Sequence, residues 1–187
     1  FEDLLYRYTL SEKTDQPMGL SAPEYPEINY FTDIYYKPVL WLQKLKETLG
    51  EETFRKGMQQ YYHRWKLKHP SPEDFKQVME ETAERNLDSI FHLLETKGDI
   101  HPPLTKKFKV GTFFNLNQTE KFNYLFFSPA VGYNLYDKFM AGLLVHNYTL
   151  PEPPLHFFLA PMMSTASGNF SGLGRVGYTY TSYGKIR

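Results

Sequence analysis

The sequence predicts an α+β chain: an N-terminal helical segment of antiparallel α-hairpins followed by an antiparallel β-rich region. Three observations predict it. Charge is concentrated at the front: residues 1–107 hold 15 Lys/Arg and 18 Asp/Glu, whereas residues 108–187 hold 6 and 3. The later part nevertheless carries 17 of the 32 Phe, Tyr and Trp residues. Apolar residues recur at helical spacing through the first part and alternate in the second. The organisation read from this is a lead-in over 1–29, a helical part over 30–100 and a β region over 101–187, with Pro102–Pro103 as the linker.

Residues 1–10 read as the end of a helix, with Phe1, Leu4, Leu5 and Tyr8 on one face. Residues 11–29 hold Pro17, Gly19, Pro23 and Pro26 among polar residues and read as a surface loop. From about Asp33 an amphipathic helix runs to Gly50. Asp33 or Thr32 is its expected cap, Pro38 sits in its first turns, and Gly50 is its expected left-handed C-cap. Glu51 and Glu52 open the next helix, suited by charge to its N-terminal dipole. Its expected inner face is Phe54, Met58, Tyr61, Tyr62, Trp65 and Leu67, and His69–Pro70 stops it. Ser71 is the expected N-cap of a third helix, with Pro72 at its first position and Asp74 completing a capping box. A short last helix starts at Asn86–Leu87–Asp88. Five strands follow, at about 108–116, 122–128, 138–148, 155–160 and 174–183. Turns are expected at Asn117–Gln118, Gly132–Asp137, Pro151–Pro154 and Ser167–Asn169.

Composition excludes several classes. Lys plus Arg and Asp plus Glu are each 21, so the net charge is zero, which argues against a general nucleic-acid binder. The absence of cysteine excludes disulfides, thiolate metal sites and cysteine nucleophiles. The six histidines form no His-x-x-x-His pair and none is followed by Glu, so no residue of the chain is a candidate metal ligand. The chain starts on Phe1 and stops at Arg187 inside an alternating aromatic stretch, so both ends read as cuts within a longer polypeptide.

Tyr35-Tyr36-Lys37-Pro38, Leu49-Gly50-Glu51-Glu52-Thr53-Phe54, Tyr61-Tyr62, the run Trp65 to Phe75, and Asn86-Leu87-Asp88 together resemble the M1 family of zinc metallopeptidases. The resemblance covers roughly residues 30–98, the stretch just after the zinc helices in that family, where Tyr-x-Lys-Gly precedes a helix ending in Leu-Gly. Pro38 stands in place of the usual Gly, as in a bacterial subgroup. The resemblance implies that residues 30–100 are part of a thermolysin-like catalytic domain hydrolysing peptide bonds. Zinc is then the cofactor of the parent enzyme, on ligands outside this chain, with none bound by the fragment. Tyr35, two residues before the Lys, matches the family's catalytic tyrosine, whose phenol donates to the oxyanion formed on the attacked peptide carbonyl. Tyr36 points about 100° away on a helix, so only one of the two can face the reacting carbonyl. Lys37 is expected to order structure or pair with a carboxylate.

The β region admits two readings: a soluble antiparallel sandwich or sheet, or the opening strands of an outer-membrane β-barrel. The second gives residues 108–187 an outer-membrane association, and the family resemblance implies a cell-envelope location, periplasmic or outer-membrane associated. An alternative function follows, a noncatalytic M1-like scaffold or membrane-surface interaction module anchored by its β region.

Overall fold

The computed structural model describes all residues except 102–104, 114–117, 120 and 184–187. The described residues fall in two compact units, one within Phe1–Pro102 and the other within Pro103–Lys185. The first is helical and the second is a single five-stranded sheet, so the fold is α+β.

The helical unit opens with α1 (Glu2–Ser11). Its buried residues are Tyr6 and Thr9, while Phe1, Leu4 and Tyr8 are exposed, which corrects the face read from the sequence. The inward side is chosen by specific partners: the Tyr6 ring lies 5.4 Å from that of Tyr36, and its hydroxyl donates to Asp99 Oδ1 at 3.5 Å. The chain turns helical again at α2 (Glu27–Phe31), directly after Pro26, and stays helical through a single π turn (Thr32–Tyr36) into α3 (Lys37–Leu49). Helix therefore begins six residues before the expected start at Asp33. Neither expected cap caps: the Thr32 hydroxyl donates back to the Ile28 carbonyl at 3.3 Å, and Asp33 is fully buried inside the helical run. Pro23 and Pro26 read as loop markers, yet a proline just before a helix supplies a compatible φ at a place where no N–H is needed.

Gly50 separates α3 from α4 (Glu51–Trp65) with φ of 79° and ψ of 157°. The positive φ is as expected for glycine, but the extended ψ reverses the chain directly into the next helix rather than forming a left-handed cap. On α4 the buried position is Gly57; Met58, Tyr62 and Leu67, read as inward, are exposed. A Cβ at Gly57 would meet the Met79 sulfur at 2.5 Å, so α4 lies close against α5 (Pro72–Ala83) at this point. The capping box of α5 forms as read: Asp74 N–H donates to Ser71 Oγ at 3.3 Å, and the Asp74 carboxylate accepts from Ser71 N–H at 2.8 Å. The short α6 (Asp88–Phe91) continues as one 3₁₀ turn. Trp41, Leu45, Met79, Leu87, Phe91 and Ile100 form the core of this unit.

The second unit is an ordered meander of β1 (Lys107–Thr112), β2 (Phe122–Asn134), β3 (Lys138–His146), β4 (Leu155–Ser164) and β5 (Phe170–Tyr178). All neighbours are antiparallel except β1 and β2, which run parallel; the sequence predicts antiparallel pairing throughout. Alternation specifies which face a residue takes and carries no information on strand direction. β2 runs six residues past its expected end, through Pro129 and Gly132, so the turn read over 132–137 shrinks to 135–137. Pro129 is tolerated because β1 stops pairing at Phe127, leaving β2 an edge beyond it among the described residues. β4 likewise runs through Pro161. Gly142, which pairs with the next residue, Met162, cannot be replaced without movement, since a Cβ there would fall 1.9 Å from the Pro161 carbonyl oxygen. β5 starts and ends earlier than its expected span of 174–183. The turn read at Asn117–Gln118 lies partly outside the described residues.

Candidate active-site tyrosine and its buried support

Tyr35 and Tyr36 occupy the last two positions of the π turn. One residue is added to the local helical cycle there, which rotates the side chains that follow, and such turns recur at functional sites. The two tyrosines diverge. Tyr36 turns inward to α1, where its hydroxyl donates to Asp3 Oδ1 at 3.1 Å. Partial burial, first, and the Asp3 carboxylate push its phenol up to about 12. Tyr35 is 58% exposed, with its ring 5.7 Å from that of Tyr30 and 6.5 Å from that of Phe31. A hydrogen bond with Tyr30 raises the Tyr35 phenol above its ordinary value. It is a neutral hydroxyl at physiological pH, able to donate without carrying charge.

Two residues on from Tyr35, Lys37 enters a polar cluster that the helical pattern did not reveal. Lys37, Asp15 and Asp33 are all fully buried. The Lys37 ammonium donates to Asp15 Oδ2 at 3.3 Å and to the carbonyls of Gln16 at 2.9 Å and Thr96 at 3.4 Å. Asp15 Oδ2 also accepts from the Gly98 N–H. Asp33 Oδ2 accepts from the Gln16 N–H at 2.9 Å, while its Oδ1 is buried with no partner. Asn29 adds bonds to the Thr14 carbonyl at 2.7 Å and to Gln16 Oε1 at 2.8 Å. One lysine thus ties three separated stretches, the 14–16 loop, the helix and the 96–98 loop, to one point two residues from Tyr35. Lys37 pairs with a carboxylate, as its sequence position led one to expect. The signal for Asp33 was its spacing alone, four residues before Lys37.

Burial holds the Asp33 carboxyl up at about 6; the Gln16 N–H and the Lys37 charge pull it down, and Asp15 adds to the rise. Tyr6 and Tyr25 also feel the Asp33 charge. A raised folded-state value means that the folded chain holds this proton more tightly than the unfolded one. The contribution to stability is complete below about pH 4 and is lost as pH rises to about 6. Asp33→Asn should remove this loss. The free-energy difference between Asp33→Asn and wild type, from urea unfolding, should move in favour of Asn by on the order of 1–2 kcal/mol between pH 4 and pH 7. A difference flat across that range would show that Asp33 titrates normally in the folded chain.

Among the described residues no group of three His, Asp or Glu side chains could hold a metal ion. The described residues therefore do not fit a zinc centre, and Tyr35, the one site residue read from the sequence, stands exposed at the end of the π turn. Residues 10–93 match the model of the peptidase family M1 domain. No curated protein matches the chain.

Proposed function

We propose, from the premise that residues 10–93 belong to peptidase family M1, that this chain supplies one wall of a peptide-hydrolysing cleft and one reacting hydroxyl, that of Tyr35. The observation that carries the proposal is the pairing of an outward, neutral Tyr35 phenol with a rigid buried anchor two residues on. A donor stabilises an oxyanion best when it is already oriented, because no reorganisation is then needed as charge develops. The Lys37 cluster fixes the backbone of the turn, and Tyr30 and Phe31 flank the ring. Tyr35 donates its proton, in a hydrogen bond, to the carbonyl oxygen of the scissile peptide as that oxygen becomes anionic. Tyr36, held by Asp3, takes no part in the reaction. The zinc that the family uses is assigned to ligands outside these residues, and the substrate is a peptide.

The test is Tyr35→Phe in the whole peptidase that carries these residues, beside Tyr36→Phe. For Tyr35→Phe, kcat should fall roughly 10²-fold while KM stays within about twofold, because the lost bond forms only in the transition state. Tyr36→Phe should retain kcat. An unchanged kcat for Tyr35→Phe, at unchanged thermal stability, would remove Tyr35 from the chemistry. A whole protein that hydrolyses no peptide when supplied with zinc would favour the noncatalytic scaffold instead.

A further inference from the structure

The pairing registers sort every side chain of the sheet onto one of two faces. Phe108, Val110, Val131, Leu143, Leu159 and Val176 mark one of them. On that face only Thr112 and Asn123 are polar, and no position is charged. The opposite face carries Ser128, Ala130, Gly142, Ala160 and Ser164 beside the buried Tyr124, Phe126, Met140 and Met162. It also holds Lys109, His146, His156 and Arg175, and it supplies most of the lining of a cavity of about 610 Å³, to which Pro129 and Val131 of the first face also contribute. A soluble sandwich buries one apolar face and turns charges outward on the other, whereas here the outward face carries no charge at all.

The apolar face is also open. Phe108 is 85% exposed and Val131 83%, and Phe139, Phe170 and Tyr178 are each exposed by about two thirds or more. With about 150–250 Å² per aromatic side chain, the open apolar area is on the order of 1,000 Å², above the few hundred Å² usual on a soluble monomer. Residues are also sorted along the strands. Tyr133, paired with Phe139, and Phe170, paired with Met163, lie at one end of the face; Phe108, Phe157 and Tyr178 lie at the other. Between them lie mainly aliphatic residues and glycine, with Phe127 the aromatic exception. A strand of nine residues, such as β3 or β5, spans about 30 Å, or roughly 23 Å when tilted by about 40°, close to the apolar band of a transmembrane barrel.

We propose that the face marked by Val131 and Leu143 lies against the hydrocarbon core of a phospholipid bilayer, with the opposite face, which buries Phe126 and Met162, turned to a barrel interior. A second copy of the chain stacked on this face would bury it equally well. It would give no reason for aromatic rows at both ends of an aliphatic band, which is the pattern a water–lipid–water profile imposes. Five strands leave two open edges, and a bilayer tolerates none, so the proposal requires further strands in the membrane-inserted protein. No helix among the described residues is long and apolar enough to cross a membrane. The proposal stands apart from the peptidase reading, since none of its residues lies in the family-matched segment.

These 187 residues hold no cysteine, so single cysteines are placed here in the whole protein, with any cysteine elsewhere in it replaced by Ser. Val131→Cys and Leu143→Cys test the proposed lipid face, and Ala130→Cys and Leu144→Cys the other. Each carries an environment-sensitive fluorophore and is reconstituted into vesicles of phosphatidylethanolamine and phosphatidylglycerol. Expected are co-flotation with the vesicles, at least twofold quenching of the first pair by acyl-chain nitroxide lipids, and little quenching of the second. A protein that stays with the soluble fraction while retaining its β-sheet circular dichroism would overturn the proposal. So would quenching of the first pair by aqueous iodide, or shielding that grows with protein concentration in the absence of lipid, which would identify a second copy as the cover.

Discussion

Lys37→Met should destabilise the helical unit by about 3–5 kcal/mol, the cost of leaving a buried carboxylate without its cation. Lys37 and Asp15 have no exposed side-chain surface, so no solvent reaches in to screen the loss. Methionine replaces the length of the lysine stem but none of its donors. The carbonyls of Gln16 and Thr96 would lose their bonds at the same moment as Asp15 loses its charge partner. The measurement is urea unfolding followed by tryptophan fluorescence. Both tryptophans, Trp41 and Trp65, lie in the helical unit, so the signal is silent on the sheet. Asp15→Asn combined with Lys37→Met should recover part of the loss, because the remaining buried group is then neutral. A single-variant loss below about 1 kcal/mol would mean that the pair is solvated in solution and anchors nothing.

This cluster also shows where sequence reading stops. Helix, strand and turn patterns depend on local periodicity, and most elements of the chain were legible from it. The Ser71–Asp74 capping box and the α3–α4 hairpin about Gly50 are examples. Pro129 and Pro161 hid the length of β2 and β4, because proline is a breaker only where a ladder partner needs its N–H. The π turn at 32–36 left no mark on the apolar period, which it shifts by only one residue. Asp15 was wholly illegible. It sits in a stretch that reads as a polar surface loop, and its burial depends on Lys37 and Gly98, 22 and 83 residues away. Tyr35 was legible only as part of a family-like run; no local property separates it from the exposed Tyr62.

The support of Tyr35 has two layers, and they should respond differently to mutation. The polar layer sets the turn itself. The apolar layer holds α3, which grows out of that turn, to the rest of the unit. If only the first mattered to the reaction, variants in the second would change the folded fraction and leave the chemistry of each folded molecule alone.

Trp41→Ala should cost about 3–5 kcal/mol, the usual range for truncating a large buried aromatic side chain. Trp41 is 5% exposed, its ring stands edge-on to Phe91 at 5.1 Å, and Phe75 lies 6.3 Å away. Its indole N–H donates to the Ile90 carbonyl at 2.8 Å, which pins α6 to α3. Trp41→Phe keeps most of the apolar area and removes the indole donor while the Ile90 carbonyl keeps a backbone N–H, and should cost about 0.5–1.5 kcal/mol. The gap between the two variants separates packing from hydrogen bonding. On the proposed peptidase reading, both variants in the whole protein should lower activity only in proportion to the unfolded fraction at the assay temperature, with KM and kcat per folded molecule unchanged. Tyr35→Phe should do the opposite, lowering kcat at full stability. A Trp41→Ala enzyme that is fully folded by fluorescence yet slow in kcat would show that the apolar layer, as well as the Lys37 cluster, sets the position of the Tyr35 hydroxyl.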